Sequence, residues 1–413
     1  MVIVSALILA GILAQSGTAQ AADVLYVSTA GNDANSCLTI AAACRTIVSA
    51  VGKASPGDTI IIAAGVYTEG IGIDKTLTLI GFGADATIID GGFISVFGVT
   101  VQIFDLALVN GHNPGGDGGL QNQGGNLSLD YTAILSGYGF NGGGIANFMG
   151  TLTLDHSTVS GNEAVKYGGG IYSDGGQVSV SNSNIYSNTT CNDSCTRASP
   201  NARTKMPANG FVSSGGGIYS YGALTITNST ISDNITQDGG GGIAGYVSAR
   251  LTNVTISGNQ ATRLAGGGIY GAVITLTNVT MAKNSAPSGG SIASPFNSTW
   301  LKNTIIANSL AGSNCDGAVV SLGHNLSSDS SCNLNANGDL TNTNLLLGPL
   351  QNNGGPTTTH ALLPGSPAIN HGDNTGCPVT DQRGITRPQA GICDIGAYEY
   401  VFPYSMYLPL VMR

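Results

Sequence analysis

The chain has 413 residues, and its 62 Gly are about twice the share usual in globular proteins, yet no Gly-X-Y period runs through it, which excludes collagen. Only 9 % of residues are charged, against about 25 % in ordinary domains, so neither a disordered polyelectrolyte nor an ion-paired helical bundle fits. With 14 Lys and Arg against 23 Asp and Glu, a net charge of −9 and no basic stripe, nucleic acid is excluded as a partner.

Residues 2–13 (VIVSALILAGIL) are apolar, and Ala19-Gln20-Ala21 follows as a small-x-small site, so 1–21 reads as a secretory signal peptide. Its n-region lacks Lys and Arg, which leaves a retained membrane anchor as the other reading. The expected mature chain has no transmembrane span and is secreted or held at a bacterial cell surface. Residues 22–58 form an N-terminal cap, in which 44–54 carry a short amphipathic helical pattern with Ile47, Val48 and Val51 apolar. A helix there would cover an open solenoid end.

From 59 to 310 the chain repeats itself. Gly-Gly-Gly-Ile or a near copy ends at Leu120, Ile145, Ile171, Ile218, Ile243, Ile269 and Ile292, spaced by 25, 26, 47, 25, 26 and 23 residues. A second phrase, TVSGN or TISDN in type, ends in phase at Asn162, Asn188, Asn234, Asn259, Asn284 and Asn308. Two markers in phase define a unit of about 25 residues. Inside it, apolar and polar residues alternate with the period of a strand, and Asn and Gly mark the corners.

Stacking the units places Leu152, Val178, Leu224 and Ile274 in one inward column. A second column runs Leu154, Val180, Ile226, Leu251, Leu276 and Leu301, and a third Val159, Ile185, Ile231, Ile256, Met281 and Ile305. This is the pattern of a parallel β-solenoid, with the Asn column bonding its amides along the axis. A propeller blade needs about 40 residues, and the leucine-rich phrase is absent. The step of 47 leaves an insertion at 189–209, expected to project as a loop beside Tyr172, Tyr186 and Tyr219. Residues 311–400 break the repeat. The tail 401–413 is too short to cross a bilayer, which takes about 20 residues.

The 8 cysteines fall into close pairs, Cys37/Cys44, Cys191/Cys195, Cys315/Cys332 and Cys377/Cys393. Local disulfides are expected, because an oxidising exterior favours them and no CxxC or HxxxH zinc spacing occurs. No metal site is expected.

The repeat, with the opening YVSTAGND…CRTIVSAVGKASPGDTIIIAAGVYTEGIGIDKTLTLIGFG (26–83), resembles the right-handed parallel β-helix proteins of the pectin-lyase-like superfamily over about 23–310. GHNLSSDSSC (323–332), GPLQNNGGPTTTHALLPGSPAIN (348–370) and DQRGITRPQAGICDIGAYEY (381–400) are similar to the choice-of-anchor Q domain of bacterial surface β-helix proteins. The first resemblance implies an all-β right-handed parallel β-helix with a short capping helix. The second implies surface display and no chemistry.

Lyases of this fold pair an acidic calcium cluster with a basic proton abstractor, and hydrolases pair carboxylates at about 5–9 Å. Asp130 and Asp155 stand in register, but their column continues as Ser181, Thr227, Thr252, Thr277 and Lys302, a thin catalytic candidate. His112 and His324, each in Gly-His-Asn, and Asp117 in GGDGG read as loop residues. The outward column Ala146, Tyr172, Tyr219, Ala244, Tyr270, Ala293, with Tyr186 nearby, suits stacking on sugars, although plain Tyr–Tyr packing explains it as well. Arg197, Arg203 and Lys205 of the insertion would add recognition of an acidic glycan. Outward Thr rows, as in Thr153, Thr225 and Thr275, fit exposed strands before they fit ice binding.

The function expected is a monomeric, cofactor-free surface protein binding extracellular polysaccharide or a neighbouring surface. The alternative is a polysaccharide-degrading enzyme of pectate-lyase type, and only that reading calls for Ca2+.

Overall fold

The structure, a computed structural model, describes residues 22–113, 116–192 and 213–402. The leader 1–21, Cys195, Arg197, Arg203, Lys205 and the tail from 403 lie outside the described residues.

The chain is a parallel β-solenoid. One turn shows how the sequence builds it. Thr151–Asp155 alternates buried Leu152 and Leu154 with half-exposed neighbours. His156 then takes the left-handed conformation (φ 44°), which turns the chain into Thr158–Ser160. Gly161 and Asn162 make the next corner, Glu163–Tyr167 follows, and the Gly run 168–170 leads to Ile171–Asp174. In that run the position of a Cβ on Gly169 or Gly170 is filled by the backbone of the next turn, so glycine lets the turns stack there.

Within the solenoid, strands pair only with the turn before and the turn after. Leu152 aligns with Val178, Leu224, Ala249 and Ile274, and Leu154 with Val180, Ile226, Leu251, Leu276 and Leu301. The described strands form an 18-stranded and an 11-stranded sheet, a smaller 5-stranded one and a two-stranded hairpin. The inward columns merge into one continuous core.

The Asn column forms a ladder. Asn162 Nδ2 donates to Asn188 Oδ1 (2.9 Å), Asn188 to Asn234 (3.0 Å), Asn234 to Asn259 (2.9 Å) and Asn259 to Asn284 (3.0 Å). Each Oδ1 also accepts the backbone N–H of the preceding Asn, as in Asn188 N to Asn234 Oδ1 (3.0 Å). Replacing Asn234 with Ala orphans these buried donors and is expected to cost about 1–3 kcal/mol by urea denaturation.

Asn308 is not part of the ladder, and Ile305 is not part of the third inward column. Met281 aligns with Ile306, so Asn308 falls at the left-handed corner position (φ 53°) that Lys283 holds one turn earlier. Ile305 aligns with Thr280 on the outer side of the sheet. It is nonetheless fully buried, because the C-terminal segment packs over it.

The solenoid also runs past residue 310. Cys315–Ser321 and Leu326–Ser327 pair with the preceding turn before the repeat ends. At the other end, Ile47–Lys53 is the expected capping helix. Glu69 accepts its Ile47 and Val48 N–H groups (2.8 Å each), Ile47, Ala50 and Val51 are buried, and Val48 is exposed. Disulfides join Cys37–Cys44, Cys315–Cys332 and Cys377–Cys393, and Cys191 is also disulfide-bonded.

After residue 340 the chain doubles back along the outer side of the 11-stranded sheet. The hairpin Leu347–Gln351/Thr359–Leu362 and residues 381–400 cover turns far upstream. Gln382 bridges two of them: its Nε2 donates to Thr230 Oγ1 (2.8 Å) and its Oε1 accepts from Thr255 Oγ1 (2.7 Å). Ala397 N donates to Thr280 Oγ1 (2.9 Å). Hence Thr230–Ser232, Thr255–Ser257 and Thr280–Ala282 are buried on both faces, whereas Thr158–Ser160 is buried only at Val159.

His360 is part of this contact. Its Nδ1 lies 2.7 Å from the Gly348 carbonyl, an acceptor, so Nδ1 carries the proton and Nε2 accepts from Ser257 Oγ (2.9 Å). Burial, together with Lys283, holds the imidazole below its ordinary pKa of 6.5. The unfolded chain therefore binds the proton more readily, and this contribution is intact above pH 6.5 and lost as pH falls. Thermal midpoints of parent and His360→Gln are expected to converge from pH 7.5 to pH 5, and a constant difference would show that His360 does not titrate there.

Candidate functional site

Asp130 and Asp155 end the paired strands Asn126–Asp130 and Thr151–Asp155, and the register places them side by side. The next residue in each turn is the left-handed corner, held by Asn182, Asn228, Asn253, Asn278 and Asn303 further along. Here it is Tyr131 and His156, whose rings stack at 4.7 Å between centroids. Sequence reading passed over His156, because any residue that tolerates the corner can stand there. The signal was its position directly after the aspartate.

His156 Nδ1 lies 2.9 Å from Asp155 Oδ2 and 3.9 Å from Asp130 Oδ1. Asp155 Oδ1 accepts from Ser181 Oγ (2.7 Å) and Asn182 Nδ2 (2.8 Å). Asp130 Oδ1 is buried and has no hydrogen-bond partner.

The two carboxyls are consequently driven apart. Desolvation and then the Asp155 charge raise the pKa of Asp130. Desolvation acts on Asp155 too, but the hydrogen bonds from Ser181 and Asn182 and the proximity of His156 outweigh it and lower its pKa.

One donor atom from each of Asp130, Asp155 and His156 lies within 4.8 Å of the others. The set does not fit Ca2+, which takes six to eight oxygen ligands. It offers two carboxylates and an imidazole, and Asp155 already receives three hydrogen-bond donors. The first basic residue in this column is Lys302, beyond Ser181, Thr227, Thr252 and Thr277, and Asp373 holds it at 2.8 Å.

The tyrosine column has the expected register but not the expected exposure. Tyr172 aligns with Ala146 and Tyr219, yet Tyr172 is only 7 % exposed and Tyr219 2 %. They pack with Tyr167 and Phe148: Tyr167 stacks on Tyr219 at 4.4 Å, and Tyr172 lies 6.0 Å from Tyr219. Lys166 sits 4.6 Å above the Tyr167 ring. Burial, and then Asp174, push the Tyr172 phenol up to about 12. These two tyrosines are thus a buried shelf and not a stacking surface. Tyr186 is exposed but belongs to the 11-stranded sheet, so the three tyrosines do not form one surface.

His112 packs against Tyr138, with ring centroids 5.8 Å apart, and Asp117 accepts from Asn141 N (3.0 Å). His324 Nδ1 donates to the His371 carbonyl (2.7 Å). All three serve local structure.

No family model matches the chain, and no curated protein matches it. Among solved structures it is similar to a pectate lyase at 15 % identity over 91 % of this chain and 96 % of that one, with a TM-score of 0.47. A rhamnogalacturonan lyase is similar at 11 % identity over 68 % and 87 %, with a TM-score of 0.33. An alginate lyase is similar at 12 % over 87 % and 59 %, with a TM-score of 0.36. At these identities the likeness assigns no activity.

Proposed function

We propose that the chain is an exported, surface-associated β-helix protein that binds extracellular polysaccharide without cleaving it, its C-terminal segment acting as a surface module of choice-of-anchor Q type. The observation that carries the non-catalytic part is the state of Asp155. Both its oxygens are engaged by Ser181, Asn182 and His156, and no basic residue stands on the neighbouring turns of its column. A carboxylate so occupied is a poor nucleophile, and no Lys or Arg stands beside it to abstract a proton, His156, bonded to Asp155 through Nδ1, being the one base in reach. Four disulfide-bonded segments support an extracellular setting. Among the described residues no helix is long and apolar enough to cross a membrane.

One observation favours the enzymatic alternative. Two adjacent carboxyls with pKa values driven in opposite directions are how a general acid and its ionised partner are made. Asp130 would then protonate a leaving oxygen beside ionised Asp155. Reducing-end release from a polysaccharide panel, compared between parent and Asp130→Asn, separates the readings. We expect no release from either protein; turnover lost in the variant would establish the alternative.

A further inference from the structure

We propose that an exposed aromatic row on the outer face of the 18-stranded sheet is a binding track for an extended, neutral polysaccharide running along the solenoid axis. The proposal rests on the binding function above and names its site and ligand class. Phe97 aligns with Gln123, Gln123 with Phe148, and Phe148 with Asp174. Tyr221 follows one residue beyond the Ser173–Ser220 pair, opposite Asp174. Along successive turns the row therefore reads Phe97, Gln123, Phe148, Asp174, Tyr221, with aromatic and polar residues alternating.

Phe97 is 45 % exposed and Tyr221 39 %, Phe148 is half-buried, and Gln123 and Asp174 are exposed. The buried tyrosines now have a role. Phe148 sits edge-on against Tyr172 (5.8 Å) and Tyr221 edge-on against Tyr219 (5.1 Å). Phe148 and Tyr221 thus stand on a packed inner shelf, which lowers the entropy lost when a ligand orders them.

The spacing selects the ligand. Successive turns lie about 4.8 Å apart, so the rings recur about every 10 Å. One pyranose unit of an extended chain advances by close to one turn. Every second sugar can therefore lay a face on a ring while the sugar between meets Gln123 or Asp174. These offer an amide and a carboxylate to hydroxyl groups. The exposed Asp174 carboxylate, standing in the row between Phe148 and Tyr221, repels a uronate chain, so the class is neutral.

The test is equilibrium binding of the mature chain (residues 22–413) to cellulose, mannan and polygalacturonate. We expect retention on a neutral polymer, weakened at least about tenfold in Phe148→Ala/Tyr221→Ala. Tyr186→Ala, on the other sheet, should bind as the parent does. Asp174→Ala, an exposed position off the shelf, should weaken binding even if the double variant fails to fold. Full binding by the double variant and Asp174→Ala, or preference for polygalacturonate, overturns the track but leaves the binding function standing. Binding to none of the three, nor to any other polysaccharide, overturns both.

Discussion

Ile231→Asp is expected to destabilise the protein by about 4–5 kcal/mol or more, while Thr225→Asp, six residues earlier, should change stability by less than about 1 kcal/mol. Ile231 is fully buried, stacked between Ile185 and Ile256 in the third inward column. A carboxylate there has apolar neighbours above and below. Thr225 is exposed on a strand whose alternate residues, Leu224 and Ile226, face the core. Urea denaturation of both variants measures the contrast, and equal losses would mean that the inward and outward faces are misassigned.

Arg387→Met should cost about 3–5 kcal/mol, although it lies outside the repeat. Arg387 Nη1 pairs with Glu399 Oε2 (3.0 Å) and donates to the Asp394 carbonyl (2.9 Å), and Nη2 donates to the Gly396 carbonyl (2.7 Å). Both side chains are almost completely buried. Removing the guanidinium leaves Glu399 as a buried carboxylate held only by the N–H groups of Gln389 and Asp394. The neighbouring Arg383–Asp381 pair, with Arg383 3.5 Å over the Tyr398 ring, ties the same segment together. Denaturant unfolding monitored on this segment by hydrogen exchange should show it opening first in the variant. An unchanged midpoint would mean that the pair contributes nothing net.

The repeat was legible because a solenoid imposes one period on every turn, so alternation, Gly run and Asn corner each reported the same unit. The expectation fails at Ile305 and Asn308 because Asn308 stands 24 residues after Asn284 while the strands of that turn keep a step of 25, so the Asn marker leaves the structural register. Exposure of Tyr172 and Tyr219 was not legible. Alternation tells which side of a strand a residue faces, not whether that side is covered. Cover is also what hid the C-terminal segment: Gln382 meets Thr230, and His360 meets Ser257, across more than 100 residues with no period to announce it. Of the candidate site, the register of Asp130 with Asp155 was readable. The His156–Tyr131 stack was not, since it depends on two corner residues that need only tolerate a left-handed backbone.

A single preparation of residues 22–413, assayed in parallel for binding and for bond cleavage over neutral and acidic polysaccharides with and without Ca2+, separates a binding protein from an enzyme. Saturable binding to a neutral, extended polymer is expected, insensitive to Ca2+, with no new reducing ends and no unsaturated uronate absorbance. Release of either product above background, abolished in Asp130→Asn or Asp155→Asn, would contradict the non-catalytic reading.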